Sequence, residues 1–350
     1  MRARCGSTAA VGMPLRRVLI PKLTTGLPVP NQHARFELHW EGRSMGTSWR
    51  VTAFGDGLAA SRCHEIGAGI NARLDSVVRQ MSHFDPDSDL SRFNRAAAGS
   101  IVQLPQELFR VLRCGIEIAN ATCGWFDPTL GAASALWGFG PEPVAAFPAE
   151  ATIMAVIERC GWQKLQLDSG RCAAYQPGGL QLNLGGIAKG FAVDYVLEWL
   201  RHCGLDSALV EIGGELAAFC VKPDGTPWWV ALENPPSAVS LLPETVVALA
   251  DCAVASSGDW MQRRWVGARL VTHLIDPTTG TPYEGCVAGA TVIHESCMIA
   301  DAWATALCVA PPSLGMRLAE WYGLAARIVF RNSSAEIHEW LTPAMRTMAS

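Results

Sequence analysis

Leu182-Asn183-Leu184-Gly185-Gly186-Ile187-Ala188-Lys189-Gly190-Phe191 runs from an apolar strand pattern through two glycines into an amphipathic helix with a lysine in its first turn. Glycines at such a junction let backbone N–H groups approach a ligand closely, and a helix N-terminus favours negative charge. Lys189 adds a point charge at the same mouth. The combination suits a phosphate or pyrophosphate; a plain tight strand–helix turn is the other reading of the same residues. The spacing matches neither G-x-G-x-x-G nor the Walker loop, so the common dinucleotide and nucleotide folds lose support.

Downstream, residues 187–203 carry the helix, Gly204 takes its C′ position, and residues 208–212 read as a strand, as residues 180–184 do upstream. Residues 39–52 read as a strand pair around Gly42 and Gly46. A helix follows, because Ile66, Ile70, Leu74, Val77, Val78 and Met81 recur at helical spacing. Pro105 opens a second helix with Leu108, Val111, Leu112, Gly115 and Ala119 as its buried stripe and Gly124 at its stop. Residues 139–149 hold three prolines and read as a loop at a lobe boundary. Residues 228–232 and 270–275 are further strands, and residues 296–309 a late helix. Helices and strands mix without regular βαβ alternation, which gives α+β as the fold class.

The chain has 350 residues, 49% of them hydrophobic and 17% charged, enough to bury a substantial core. We expect one domain of two intimately packed lobes over residues 36–345, preceded by a poorly ordered extension over residues 1–35. Within that extension Arg16 and Arg17 precede Val18-Leu19-Ile20, an apolar run too short for an export signal or a membrane span. The net charge of −4 and pI near 6.1 give no bulk reason to expect a nucleic-acid partner. Twelve cysteines include no C-x-x-C, the spacing that zinc ribbons and redox motifs need. They read as reduced, mostly buried thiols, which favours the cytoplasm over the periplasm.

Asp301 and Thr305 stand at i, i+4 in an otherwise apolar helix, so both oxygens share one face. Together with a substrate phosphate they would suit a hard cation such as Mg²⁺; an Asp bonded to a nearby backbone turn is the alternative. His273 lies in a strand that ends at Asp276-Pro277. Facing a phosphate site it could deprotonate a hydroxyl, with Asp276 either orienting it or capping the turn. Trp137 and Phe139, between glycines, could wall a flat heterocycle or fill a core.

The order of these segments resembles the ApbE family, the FAD:protein FMN transferases. The resemblance runs through Met45-Gly46-Thr47, Ser82…Phe84…Ser88…Ser91-Arg92-Phe93-Asn94, Phe126-Asp127-Pro128-Thr129 and Leu136-Trp137-Gly138-Phe139-Gly140. It continues in Leu184-Gly185-Gly186-Ile187-Ala188-Lys189-Gly190, Val210…Ile212-Gly213-Gly214, Ser256-Ser257-Gly258-Asp259, His273…Ile275-Asp276-Pro277 and Ala300-Asp301…Ala304-Thr305-Ala306-Leu307. It implies FAD held between two lobes, with Mg²⁺ at the pyrophosphate bound by Asp301, Thr305 and the Gly186 carbonyl. Met45, Phe84, Ala135, Leu136, Trp137, Asn183, Lys189 and Ile275 would contact FAD, and His273 would be the base. Two positions depart from the family pattern: Asn183 and Glu215 stand where Asp is common.

The implied reaction moves FMN from FAD to a Ser or Thr hydroxyl of an acceptor protein and releases AMP. Family acceptors are flavin-carrying subunits of membrane redox complexes with an Asp-x-x-Ser/Thr-Gly-Ala-Thr/Ser motif. The same residues would also serve an FAD pyrophosphatase, with water in place of the hydroxyl. A flavin-binding protein without turnover is a third possibility, but it needs neither a base nor a metal at the bond that breaks.

Overall fold

Strands Arg35–Ser44 and Thr47–Asp56 pair antiparallel from Arg35↔Asp56 to Ser44↔Thr47. Their two-residue turn, Met45-Gly46, has positive φ at both positions (50° and 74°), the primed geometry that matches the strands' own twist. This is the hairpin expected around Gly42 and Gly46. In the computed structural model, which describes residues 16–21, 35–56, 59–144, 146–238 and 241–349, the hairpin forms one end of an eight-stranded sheet. From the other end the order is Ile337–Leu341, Ala325–Arg331, Val287–His294, Cys252–Gly258, Glu215–Phe219, Ser207–Ile212, Thr47–Asp56, Arg35–Ser44, with every neighbouring pair antiparallel. Helices and an antiparallel sheet in these proportions make the fold α+β.

Helix Cys297–Val309 lies on one face of this sheet, against strands Cys252–Gly258 and Val287–His294, and helix Ala188–His202 packs beside it. It is buried almost all round, as a helix apolar on every side should be. Ser296 caps it through Ile299 N–H. Asp194, from the neighbouring helix, accepts from Cys297 N, Met298 N and Ser296 Oγ at 2.9, 3.0 and 2.7 Å. The first-turn donors, which no helix can satisfy internally, thereby fix the two helices against each other. Helix Ala60–Met81 covers Ala188–His202; the helix begins before the first periodic residue, and its buried face begins at that residue, Ile66.

Three sequence expectations change. Residues 180–184 make only a single bridge, Leu130↔Gln181, and no strand. The Asn94 side chain holds this segment instead, with its oxygen accepting from Leu182 N (2.7 Å) and its amide donating to Leu182 O (3.1 Å). The strand expected over residues 270–275 is Arg269–Thr272, paired with Arg263–Val266, so His273 sits just past its end. Finally, residues 16–19 are not a loose extension. Arg16–Leu19 pairs in parallel with Glu244–Val247, and Ile20 N donates to Met348 O at 2.7 Å. Leu19 is fully buried with Val247, Leu249 and Met345, and Arg17 pairs with Glu339 at 2.6 Å. Burying a leucine contributes about 1.5–3 kcal/mol, which outweighs the local sparsity of apolar residues. Residues 1–15 and 22–34 lie outside the described residues.

Candidate active site

A cavity of about 1430 Å³ is walled by the start of helix Ala188–His202, the middle of Cys297–Val309, the Gly213-Gly214 turn and the Met45-Gly46 turn. Met45, Phe84, Asn183, Gly186, Lys189, His273, Ile275, Asp301 and Thr305 all line it. Residues from distant parts of the chain are thus gathered as the sequence order suggested. Ala135, Leu136, Trp137 and Asp276 are not among the lining residues. Trp137 is buried with Ile275 and Cys160, and its indole donates to Gly280 O at 2.8 Å. It braces the His273–Gly280 segment from behind, while Phe139 faces the cavity.

Four backbone donors at the helix N-terminus are already taken by protein acceptors. Asn183 Oδ1 accepts from Gly185 N (2.8 Å), Leu184 O from Ile187 and Ala188 N (3.1 and 2.9 Å), and Asp301 Oδ2 from Gly190 N (3.0 Å). Positive charge at this mouth therefore comes mainly from Lys189, and Lys189 is paired with Glu215. Glu215 is 1% exposed and pushed up to about 8, because burial penalises its charge more than Lys189 relieves it. Burial likewise raises Asp301, against the pull of Lys189 and the Gly190 N–H. Burial pulls Lys189 down, but the carboxylates of Glu215 and Asp301 outweigh it and the net shift is upward. With both carboxylates ionised, one cation faces two anions. Glu215 Oε2 is buried with no hydrogen-bond partner.

A hard cation fits this donor set. Asp301 and Thr305 share a helix face, and Gly186 approaches Thr305 so closely that a Cβ there would lie 2.6 Å from Thr305 Oγ1. Two carboxylates, a hydroxyl and a nearby carbonyl are oxygen ligands of the kind Mg²⁺ takes with a substrate phosphate. No group of three His, Cys, Asp or Glu that could hold a metal ion occurs among the described residues.

His273 is positioned by Gln262, whose carbonyl accepts from both His273 N (3.1 Å) and Nδ1 (3.2 Å). A carbonyl only accepts, so Nδ1 carries the proton and Nε2 is the basic nitrogen. Burial pushes His273 down to about 4, so the ring is neutral at pH 7. Asp276 is not its orienting partner. Its Oδ1 accepts from Thr278 N (2.8 Å) and Thr278 Oγ1 (2.6 Å), closing the Asp-Pro-Thr turn. Asp127 makes the same turn with Thr129 at 2.8 and 2.6 Å, and that repetition marks the motif as a turn device. Asn183 uses its amide as well as its oxygen, donating to Ser134 Oγ at 3.0 Å.

Sequence reasoning passed over Gln262, Arg264, His83 and Asp194. Arg264 donates to Gly138 O and lies over the Phe139 ring, and His83 Nε2 meets Phe139 O at 3.2 Å. Gln262 acts through its backbone, which no side-chain pattern reveals. Asp194, a carboxylate on a buried helix face five residues after Lys189, was the readable signal.

The ApbE family model matches residues 45–328. The FAD:protein FMN transferase of Vibrio cholerae serotype O1 is 33% identical over 286 residues, covering 81% of this chain and 84% of that protein. The Haemophilus influenzae protein of the same name is 32% identical over 300 residues, 84% and 86% of the two chains. Among solved structures, the apo form of Pseudomonas stutzeri flavinyl transferase ApbE superimposes with a TM-score of 0.80 at 34% identity, over 90% of this chain and 97% of that one. The Vibrio cholerae flavin transferase ApbE gives 0.81 at 30% identity, over 90% and 100%.

Proposed function

The chain belongs to the ApbE family, and on that premise we propose that it transfers the FMN half of FAD to a Ser or Thr hydroxyl of an acceptor protein, releasing AMP. The observation that carries this is the meeting, in one cavity, of a neutral histidine with its lone pair at Nε2 and a carboxylate-rich cluster around Lys189. Met45, Phe84, Asn183 and Ile275 would contact FAD, with Ala135, Leu136 and Trp137 supporting that wall. Mg²⁺ held by Asp301, Thr305 and the Gly186 carbonyl would neutralise charge on the pyrophosphate.

The chain's own residues do the rest. His273 Nε2 takes the proton of the acceptor hydroxyl as that oxygen bonds to the FMN phosphorus. The phosphorus–oxygen bond to the AMP phosphate breaks, and AMP leaves with the bridging oxygen. Lys189 faces the negative charge that builds there. Gln262 keeps the imidazole in the required tautomer. The acceptor we propose is a flavoprotein subunit carrying the motif given above. No helix among the described residues is long and apolar enough to cross a membrane, and the free thiols favour the cytoplasmic setting.

The test is incubation with FAD, Mg²⁺ and a motif-bearing acceptor, with AMP release and acid-stable flavin fluorescence followed together. Flavin on the acceptor is expected, in step with AMP. AMP with free FMN and a bare acceptor would make the chain a pyrophosphatase. No AMP with any divalent metal would sink both.

A further inference from the structure

Strand Trp228–Leu232 ends the small sheet ordered Arg16–Leu19, Glu244–Leu249, Trp228–Leu232. It pairs with Glu244–Leu249 on one side only, and its other edge has no strand partner among the described residues. Residues 229 to 233 all line the cavity. A strand face presents alternate residues, so five consecutive lining residues mean that the wall here is the backbone edge itself. Unused strand edges are normally blunted by lysine, proline or a bulge. This one reads Trp-Trp-Val-Ala-Leu, with Trp229 49% exposed and no charge or proline inside it. The cavity, at about 1430 Å³, also exceeds the roughly 300–1000 Å³ of ordinary small-molecule sites. It has room for a second occupant beside a dinucleotide.

We propose that the free edge of Trp228–Leu232 binds the acceptor's hydroxyl-bearing segment in extended form, as an added strand. The inference rests on the transferase function proposed above. Strand addition supplies main-chain hydrogen bonds regardless of acceptor sequence and sends alternate acceptor side chains toward the cavity. The reactive Ser or Thr enters on that side, toward His273, while its neighbours point away. An acceptor segment that is flexible before binding can adopt this geometry; one locked in a helix cannot.

The test uses the full-length enzyme with FAD, Mg²⁺ and a synthetic peptide of the Asp-x-x-Thr-Gly-Ala-Thr type, N-methylated at one backbone amide at a time. Each outward hydrogen bond lost, with the methyl group pushed against the edge, should lower kcat/KM for the peptide about tenfold or more. The loss should alternate along the peptide, with intervening positions within about twofold of the parent. Amide hydrogen exchange at residues 229–233 should slow on peptide binding. A parent peptide that accepts FMN while the methyl scan shows no alternation, or while residues 229–233 stay unprotected, overturns strand addition and leaves the transferase intact. A parent peptide that takes no FMN, where an intact motif-bearing acceptor protein does, overturns strand addition as well. No transfer to either removes the premise too.

Discussion

Replacing Gly190 by alanine tests whether the site is built by the close approach of two helices. Gly190 sits in the first turn of Ala188–His202, against the start of Cys297–Val309. A Cβ at this position would lie 2.4 Å from Cys297 O and 2.8 Å from Asp301 Cβ. Ordinary contact needs about 1 Å more, and both obstacles belong to a buried, capped helix that cannot rotate away. Relief must come from separating the helices, at a cost of roughly 1–3 kcal/mol for overpacking. Lys189 rides on one helix and Asp301 and Thr305 on the other, so the same shift misplaces them by up to an ångström. A displacement of that size costs about 100-fold in rate. Gly204→Ala, at the far end of the same helix, is the control. That glycine has φ +80° with nothing within 4 Å of a Cβ, so alanine there pays only the left-handed backbone strain, about 1–2 kcal/mol. Thermal melts and AMP release with FAD and Mg²⁺ should show both variants destabilised by a few degrees, but only Gly190→Ala inactive. Equal activity in the two variants would refute the claim that helix spacing sets the site.

Other substitutions probe single groups. Asp301→Ala should lose at least 100-fold of activity, and excess Mg²⁺ should not restore it; stability should fall by about 1–3 kcal/mol because Gly190 N–H loses its buried acceptor. Near-normal turnover in titrations with Mg²⁺ would discard the metal assignment. Asp276→Asn keeps the oxygen that closes the Thr278 turn and should retain activity within about threefold; a loss near 100-fold would restore Asp276 as the group that orients His273. His273 has a folded pKa of about 4 against 6.5 unperturbed, so protons bind the unfolded chain first as pH falls. Its contribution is present above pH 6.5 and is lost as pH drops toward 4, by up to about 3 kcal/mol. Melting curves of wild type and His273→Gln should therefore converge or cross in favour of the variant between pH 7 and 4, and a pH-independent difference would contradict the buried, neutral ring.

Much of this was legible because helical periodicity and capping are local. The Gly204 stop and the apolar circumference of residues 297–309 can each be read within one turn of their cause. Residues 180–184 misled because an apolar run records burial, not pairing. Its hydrogen bonds go to Asn94, 88 residues away, and no local pattern announces that. Residues 16–19 misled for the opposite reason: four residues carry too little periodicity to register, and their partners are over 220 residues downstream. At the site, side-chain chemistry pointed to His273, Lys189, Asp301 and Thr305. The division of labour between Asp276 and Gln262 was hidden because the orienting group is a backbone carbonyl.

The sharpest revision concerns electrostatics. A lysine after two glycines at a helix start suggests a ready-made anion site, yet four of the backbone donors there are engaged and Glu215 pairs with the lysine. With Glu215 and Asp301 both ionised the cluster would carry a net charge of minus one and repel a pyrophosphate, and burial raises both carboxyls above their ordinary range. A divalent cation at the proposed site would reverse that balance by adding two positive charges where the anion binds. Binding of the cation and binding of FAD would then be coupled, and coupling free energies are reciprocal: whatever factor the metal added to FAD affinity, FAD would add to metal affinity. Glu215, buried with one oxygen unpaired, raises the cost of leaving the cluster without a cation. The lysine's role is therefore conditional. In the proposed reaction it would aid the departing phosphate once a cation held the carboxylates that otherwise pair with it.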